Sequence, residues 1–357
     1  MQFSDAYRTV STRFDVLRGG VKYCELLARG DPVVRMIADA AIKTTLSGSF
    51  DVTPVGISDN QTPTVDFLTD AIRPCLILNG VEYPLGEYLA ATVTTNHRAG
   101  VDYYDIEAYD YGLVLQQCTT ETRVSFAANN KYTDIVQAML LDAGIDSIIC
   151  IESSAVLAAT REDWEIGTPY IQIINDLLGE INYSSIWFDS DGNARIEPYV
   201  PPSAANIAHT YASGEYSIIK PDVVAVLDTY TAYNVFIAQV QSPDLPAPLT
   251  ATSVNDDPDS PLSTLRRGRR IVAPIVRLDG IADQDTLQAY VDNLKFESIK
   301  SYEVLSFETA KAPVHGVNDV LALQHEAANG IYEESEWAIT LGVTGQMTHK
   351  ARRVMYT

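Results

Sequence analysis

The first third of the chain carries the short apolar runs and turn residues that are typical of β-strands. Residues 72–86 place two apolar runs on either side of Asn79-Gly80. Asparagine followed by glycine suits the two positive-φ positions of a type I′ turn, so this segment predicts a β-hairpin. The next segments, 87–95 and 101–115, are rich in β-branched and aromatic residues, as strands are. We therefore expect the region from about residue 30 to 120 to be mostly β.

The apolar spacing changes from strand-like to helix-like at residue 131. In 131–144 the apolar side chains fall on one face of a helix, for which Thr133 is the expected N-cap. A second helix is expected in 167–183, with Thr168 as N-cap and Pro169 at the first helical position. Together with short apolar strands, these helices predict a compact α/β insert.

The last third returns to a strand-like pattern. Residues 223–240 predict one long strand or two, and residues 335–343 alternate between apolar and polar positions. One helix is expected where Leu287 and Val291 recur at helical spacing. The expected divisions are an N-terminal segment (1–30), a first β domain (31–122), the α/β insert (123–202) and a second β domain (203–357) with a helix (282–295) and a long loop (241–270).

The charge of the chain bears on its partners. Its 357 residues include 47 acidic and 25 basic side chains, a net charge of -22. Such a balance repels the phosphate backbone and disfavours broad gripping of DNA, while it suits a surface past which DNA slides. No apolar run approaches the roughly 18 residues of a membrane span, and no secretory signal pattern is present. We expect folding in a reducing cytoplasm and no membrane insertion by this chain.

Motifs that would indicate catalysis or metal binding are incomplete. His325-Glu326 begins like a metalloprotease helix, but the fifth position is Asn329 rather than a second histidine. The Asp189–Asn193 stretch begins like a calcium loop, but its glycine comes at the wrong position and a hairpin turn explains it. The four cysteines form no C-x-x-C pair. We therefore expect no catalytic residue, no cofactor and no metal site.

Several segments, taken in order, resemble one known family. They are FLTDAIRPCLILNGVEYPLGEY (67–88), TPYIQIINDLLGEINYSSIWFDSDGNARIEPYVPP (168–202), DDPDSPLSTLRRGRRI (256–271) and WAITLGVTGQMTHKARR (337–353). This order resembles the tail hub proteins of bacteriophages, the baseplate-hub group that includes the late-control D proteins. The resemblance covers nearly the whole chain and depends on the order of the segments, since no single motif is diagnostic.

The resemblance implies a fold and a set of partners. It implies a mainly β fold with two β-barrel-like domains resembling the tail tube and a smaller α/β domain. Three copies would form a pseudo-hexameric ring at the distal end of the tail tube, through which DNA passes. The implied neighbours are a tail tube or distal tail protein above, a tail tip or fibre protein below and a tape measure protein in the lumen. The location would be the virion tail, after assembly in the host cytoplasm.

The densest positive charge of this acidic chain is the candidate interaction site. It consists of Arg266, Arg267, Arg269 and Arg270, preceded by Asp256, Asp257 and Asp259. Guanidinium groups pair well with carboxylates, so a hub would use this cluster to contact a neighbouring subunit or tail protein, with the aspartates as partners in trans. A solvated loop and a DNA contact are the alternatives.

Two other functions remain open from the sequence. A tail-associated cell-wall hydrolase would need a catalytic module or a paired His/Cys or carboxylate site, and neither is apparent. A receptor-binding or carbohydrate-binding tip protein would expose aromatic side chains, and the chain has 20 tyrosines. Many of these alternate within predicted strands, which fits packing and interfaces equally well.

Overall fold

In the computed structural model, the chain forms two compact units. The structure describes residues 8–56, 63–98, 100–157, 159–162, 164–214, 217–227, 230, 232–240, 249–278, 284–300, 303–326 and 328–354. The first unit comprises Met1–Pro201, Thr309–Asn318 and Ser335–Thr348, and the second comprises Pro202–Glu308, Asp319–Glu334 and His349–Thr357. The chain thus leaves the first unit near residue 201 and returns to it twice, so neither unit is one continuous stretch of sequence.

The β part of the first unit is an antiparallel sheet. Its strands in chain order are β1 (Val10–Arg18), β2 (Val21–Leu26), β3 (Ala28–Ile37), β4 (Thr44–Asp51), β5 (Val55–Gly56), β6 (Ala71–Leu78), β7 (Val81–Pro84), β8 (Tyr88–Arg98) and β9 (Val101–Tyr109). Their neighbour order is β5-β2-β1-β6-β8-β9-β4-β3, with β7 paired to β6. The β6–β7 turn has Asn79 at φ 50° and Gly80 at φ 80°, which confirms the predicted hairpin.

The first 30 residues, expected to be a separate segment, instead contribute two strands to this sheet. Strand β1 lies between β2 and β6, and its Phe14 packs edge-on against Phe50 at 5.1 Å. Polar residues interrupt the apolar pattern of β1, so the strand was not predicted. One of them, Asp15, is buried between two cations. Arg13 Nε lies 2.8 Å from Asp15 Oδ1, and Lys22 Nζ lies 2.7 Å from the same oxygen. Mutual neutralisation lets a charged stretch occupy the centre of the sheet.

The α/β insert contains two helices of 11 residues packed beside a small sheet. Helix α1 (Gly112–Gln117) precedes the insert and packs into its core; the elements of the insert are α2 (Tyr132–Asp142), β10 (Ile148–Cys150), α3 (Tyr170–Glu180), β11 (Trp187–Phe188) and β12 (Ala194–Ile196). The strand order is β10-β12-β11. Its core is made of aliphatic residues that are almost fully buried, including Leu115, Val136, Leu140, Ile174, Leu177 and Leu178.

Both predicted N-caps of the insert are wrong. Thr133 is the second residue of α2, and its buried hydroxyl has no hydrogen-bond partner among the described residues. The N-cap is Lys131, whose backbone is held extended by a bridge to Val156. Helix α2 therefore starts earlier than expected. Helix α3 starts one residue later than expected, because Pro169 bridges to Thr119 and is itself the N-cap. Tertiary backbone contacts, rather than side-chain caps, therefore decide where both helices begin.

The insert should depend on Leu177 for its stability. This side chain is fully buried in α3, so Leu177→Ala is expected to lower the free energy of unfolding by about 3 kcal/mol. Leu141 is the matched control, because it lies on α2 of the same insert but is 58% exposed; Leu141→Ala should change stability by less than about 0.5 kcal/mol. Urea unfolding followed by tryptophan fluorescence measures both values. Equal losses would contradict this description of the core.

The second unit is built on two sheets. Its elements are a 3₁₀ turn (Ala204–Asn206), β13 (Ile207–Ala212), β14 (Ile219–Leu227), β15 (Val235–Val240), β16 (Leu249–Val254), α4 (Thr264–Arg267), β17 (Val276–Leu278), α5 (Gln284–Lys300), β18 (Glu303–Thr309) and β19 (Val320–His325), with parts of β20 (Ala328–Thr340) and β21 (Met347–Arg353). Strands β13, β19 and β20 pair in that order, and β15 pairs with β16 and β17. The expected fold class, mainly β with a smaller α/β region, is confirmed.

One expectation for this region changes, and another is met. The stretch expected as one long loop, 241–270, contains strand β16 and helix α4. The pattern of β16, LTATSV, has only two large aliphatic residues, so its pairing with β15 was not apparent from the sequence. The expected helix lies at Gln284–Lys300, and its Leu287 and Val291 are buried against the β15–β16 sheet.

Histidines of the second unit are used in its interior. His349 Nδ1 lies 2.6 Å from Glu334 Oε1, both side chains are fully buried, and the His349 ring stacks on Phe307 at 4.5 Å. Burial raises the pKa of Glu334 to about 7. His209 Nε2 lies 3.1 Å from Asp319 Oδ2. The His349–Glu334 pair satisfies two buried polar groups in the way that a packed core requires, whereas His209 and Asp319 are half-buried. None of the described helices is long and apolar enough to cross a membrane.

Candidate interaction surfaces

The four arginines lie on a short helix and the residues that follow it. The arginine loop, defined here as residues 255–275, contains α4, which Ser263 caps by accepting a hydrogen bond from Arg266 N at 3.2 Å. Gly268 ends the helix in the left-handed region at φ 61°. This geometry places Arg266 and Arg267 in the last turn and Arg269 and Arg270 directly after it. From Thr264 to Ile275 the chain has four basic residues and no acidic one.

Two buried asparagines hold the arginine loop in place. Asn234 is completely buried, and its Nδ2 donates to Leu262 O at 3.2 Å and to Arg269 O at 3.0 Å, while its Oδ1 accepts from Ile271 N at 2.6 Å. Asn255 Nδ2 donates to Ser260 Oγ at 2.9 Å, and Asn255 O accepts from Thr264 N at 2.8 Å. Because these bonds satisfy the loop's own backbone, its conformation is fixed without a partner.

The arginine side chains point outward from this scaffold. Arg266, Arg269 and Arg270 are exposed, and Arg267 is half-buried. Arg267 Nη1 donates to Ala232 O at 2.7 Å, and Arg266 Nη1 makes a longer 3.4 Å contact with Asp259 O. Among the described residues, no carboxylate oxygen lies within 4.0 Å of any of the four guanidinium groups. Their positive charges therefore remain available to another molecule.

The predicted acidic partners lie on the same loop. Asp256, Asp257 and Asp259 are exposed, and Asp257 Oδ1 accepts a hydrogen bond from Asp259 N at 2.9 Å. Within the described part of the chain, none of these carboxylates pairs with an arginine. Apolar side chains that the sequence interpretation missed lie among the arginines: Leu265 is 65% exposed, Val272 47% and Ile275 52%. The arginine loop is therefore both cationic and partly apolar.

A second surface feature, not predicted from the sequence, is an open groove in the α/β insert. The insert groove has a volume of about 810 Å³ and lies between α2, the segment before it and the start of α3. Its apolar side chains include Phe126, Ile135 and Met139; its polar ones include Asp134, Asp142 and Tyr170.

The insert groove carries exposed acidic side chains, and the insert around it is acidic as well. Asp134 and Asp142 are exposed, and Tyr170 donates its hydroxyl to Asp142 Oδ2 at 2.8 Å, which raises the pKa of Tyr170 to about 12. Lys131, the groove's cation, lies 3.6 Å from Glu152, which offsets its charge. Residues 123–202 have 12 acidic and 4 basic side chains, a net charge of -8.

No known family model matches the sequence, and no curated protein matches it. Solved structures do. A tail protein from Neisseria meningitidis shares 11% identity over 96% of this chain and 97% of its own, with a TM-score of 0.67. The 43 kDa tail protein of prophage MuSo2 from Shewanella oneidensis shares 11% identity over 96% and 99%, with a TM-score of 0.70. The fold is that of phage tail proteins.

A third similar structure belongs to a bacterial secretion system. An Escherichia coli component of the type VI secretion system, itself similar to the T4 phage tail proteins gp27 and gp5, shares 9% identity over 96% of this chain and 77% of its own, with a TM-score of 0.51. At such low identities the likeness shows the fold, and it confirms the resemblance to phage tail proteins at that level.

Proposed function

We propose that this chain is a structural protein of a phage or phage-like virion tail, acting as the tail hub in the baseplate. The observation that carries the proposal is the match to tail proteins over 96% of the chain. Because the match covers 96% of the chain, it includes both compact units and not one of them alone. On this proposal the chain works by binding neighbours and carries out no chemical reaction.

The hub would assemble as a homotrimer. Each chain contributes two β-rich units, so three chains present six such units around a ring. That arrangement would join the six-fold tail tube, or a distal tail protein, to a three-fold tail tip or fibre protein below. The tape measure protein would occupy the lumen before DNA passes. The ring would lie at the distal end of the tail and be assembled in the host cytoplasm.

The net charge of -22 supports a channel that DNA crosses without being held. Each basic contact with a phosphate adds salt-dependent affinity, and therefore drag on moving DNA. We expect the purified chain not to retain double-stranded DNA at about 0.15 M salt, because its net negative charge repels the phosphate backbone. A gel-shift titration with random-sequence DNA measures this. A stable shift that Arg266→Ser and Arg269→Ser abolish would instead support a DNA contact by the arginine loop.

The proposed location can be tested on intact particles. Gold-labelled antibodies against the chain should bind particles from the source organism at the end of the tail farthest from the head, as seen in negative stain. Label on the capsid or along the whole tail, or the absence of the chain from purified particles, would contradict the proposed function. Antibodies against a capsid protein provide the control for labelling position.

A further inference from the structure

We propose that the arginine loop of one copy of this chain docks into the insert groove of a second copy. The proposal rests on the proposed function in that it names a contact within the ring. Both partners are copies of the same chain, and two different surfaces meet in the contact. Neither surface has an assigned role.

The arginine loop and the insert groove carry opposite charge. The loop carries four arginines without an acidic residue between Thr264 and Ile275, whereas the insert that contains the groove has a net charge of -8. At the groove itself, Asp134 and Asp142 are exposed, and its lysine is already beside Glu152. Guanidinium groups form their strongest hydrogen bonds with carboxylates, often in a bidentate geometry.

The apolar parts of the two surfaces also correspond. Leu265 stands among the arginines at 65% exposure, which is unfavourable for a large aliphatic side chain that stays in water. In the groove, the half-buried Phe126 is the apolar side chain that a partner can reach, whereas Ile135 and Met139 are 5% and 7% exposed and line its floor. An apolar anchor surrounded by charge pairs is the usual arrangement of an interface centre and rim.

Preorganisation favours the contact. Hydrogen bonds from Asn234 and Asn255 fix the backbone of the loop, and helix α2 supplies Asp134, Ile135, Met139 and Asp142 to the groove. Association therefore costs little ordering of main chain, which preserves more of the interaction free energy for binding.

A second copy fits better than DNA as the occupant. DNA would bring a continuous row of phosphates past the exposed Asp256, Asp257 and Asp259 as well as the arginines, whereas a groove with two carboxylates needs to face only the arginines. A loop that fits a different surface of an identical chain makes a heterologous contact, and heterologous contacts generate rings when the rotation closes.

The test is a complementation experiment with the full chain. The loop variant carries Arg266→Glu and Arg269→Glu, and the groove variant carries Asp134→Lys and Asp142→Lys. Each should weaken self-association by about a hundredfold, because attractive charge pairs become repulsive ones. Mixed together, they should associate in a one-to-one ratio, because each loop meets a groove of opposite charge only on the other variant. The mixture should not close a ring of three, which would place two copies of one variant side by side. A chain with all four changes should recover assembly.

Two control substitutions and three contrary outcomes complete the experiment. Arg98→Glu and Asp146→Lys alter exposed charges outside both surfaces and should leave the mass in solution unchanged. Circular dichroism verifies folding, and Asp134→Lys alone replaces the groove variant if the double change unfolds it. A mixture that stays monomeric, variants that assemble like the wild type, or a wild type that is monomeric at low salt would each overturn the inference. The proposed tail location is tested separately by the labelling of particles.

Discussion

Replacing Asn234 by leucine is expected to open the arginine loop and lower the free energy of unfolding by at least about 3 kcal/mol. The side chain is fully buried and makes three hydrogen bonds to backbone groups of residues 262, 269 and 271. Leucine has a similar volume but cannot make any of them. Each buried group left without a partner costs about 1–3 kcal/mol, although relaxation of the loop recovers part of the sum.

Two measurements follow the Asn234→Leu variant. Urea unfolding gives its stability, and limited digestion with trypsin gives the accessibility of the loop, because trypsin cleaves after arginine. We expect cleavage between residues 266 and 270 to be faster by at least tenfold. The control is Arg269→Ala, which removes a side chain but keeps the carbonyl oxygen that Asn234 binds, and should change stability by less than about 0.5 kcal/mol. Unchanged digestion in Asn234→Leu would refute the scaffold described for the loop.

Glu87→Leu is expected to loosen the α/β insert from the β sheet of the first unit, with a loss of about 3 kcal/mol. Glu87 is buried and accepts hydrogen bonds from Arg73 Nη2, on strand β6, and from Tyr111 Oη at 2.7 Å, at the start of α1. Leucine would leave a half-buried guanidinium without its counterion and a phenol without its acceptor. Gly192, in the β11–β12 turn, also packs here, since a Cβ atom would lie 2.9 Å from Glu87 Cδ.

The Glu87 prediction has a matched control on a neighbouring strand. Glu107 on β9 is exposed, so Glu107→Leu should alter stability by less than about 0.5 kcal/mol. Hydrogen exchange adds a regional readout, because the insert's helices α2 and α3 should lose more protection than strands β1 and β6. Equal loss of protection across the first unit, or a Glu87→Leu protein as stable as the wild type, would show that Glu87 does not join these parts.

Local patterns predicted elements better than they predicted their ends. The Asn79-Gly80 hairpin and the apolar stripe of α3 follow from residues close in sequence. The N-caps at Thr133 and Thr168 were wrong because contacts from Val156 and Thr119 fix the backbone before each helix. No spacing rule within a helix reveals such contacts.

Candidate interaction residues show the same limit. The arginine cluster is visible in the sequence because four like charges occur in five positions. Its scaffold is not, since Asn234 lies 35 residues from Arg269, whose carbonyl it binds. The insert groove was missed for a related reason: Phe126, Asp142 and Tyr170 meet only after α2 and α3 have packed.

The mass of the purified chain in solution tests the central claim most directly. One chain has a mass of 39.2 kDa, so the proposed hub trimer should give about 118 kDa, three times that value, by light scattering. Negative-stain images of the same sample should show an open ring with three-fold symmetry. A compact dimer without a central channel would contradict the proposed hub.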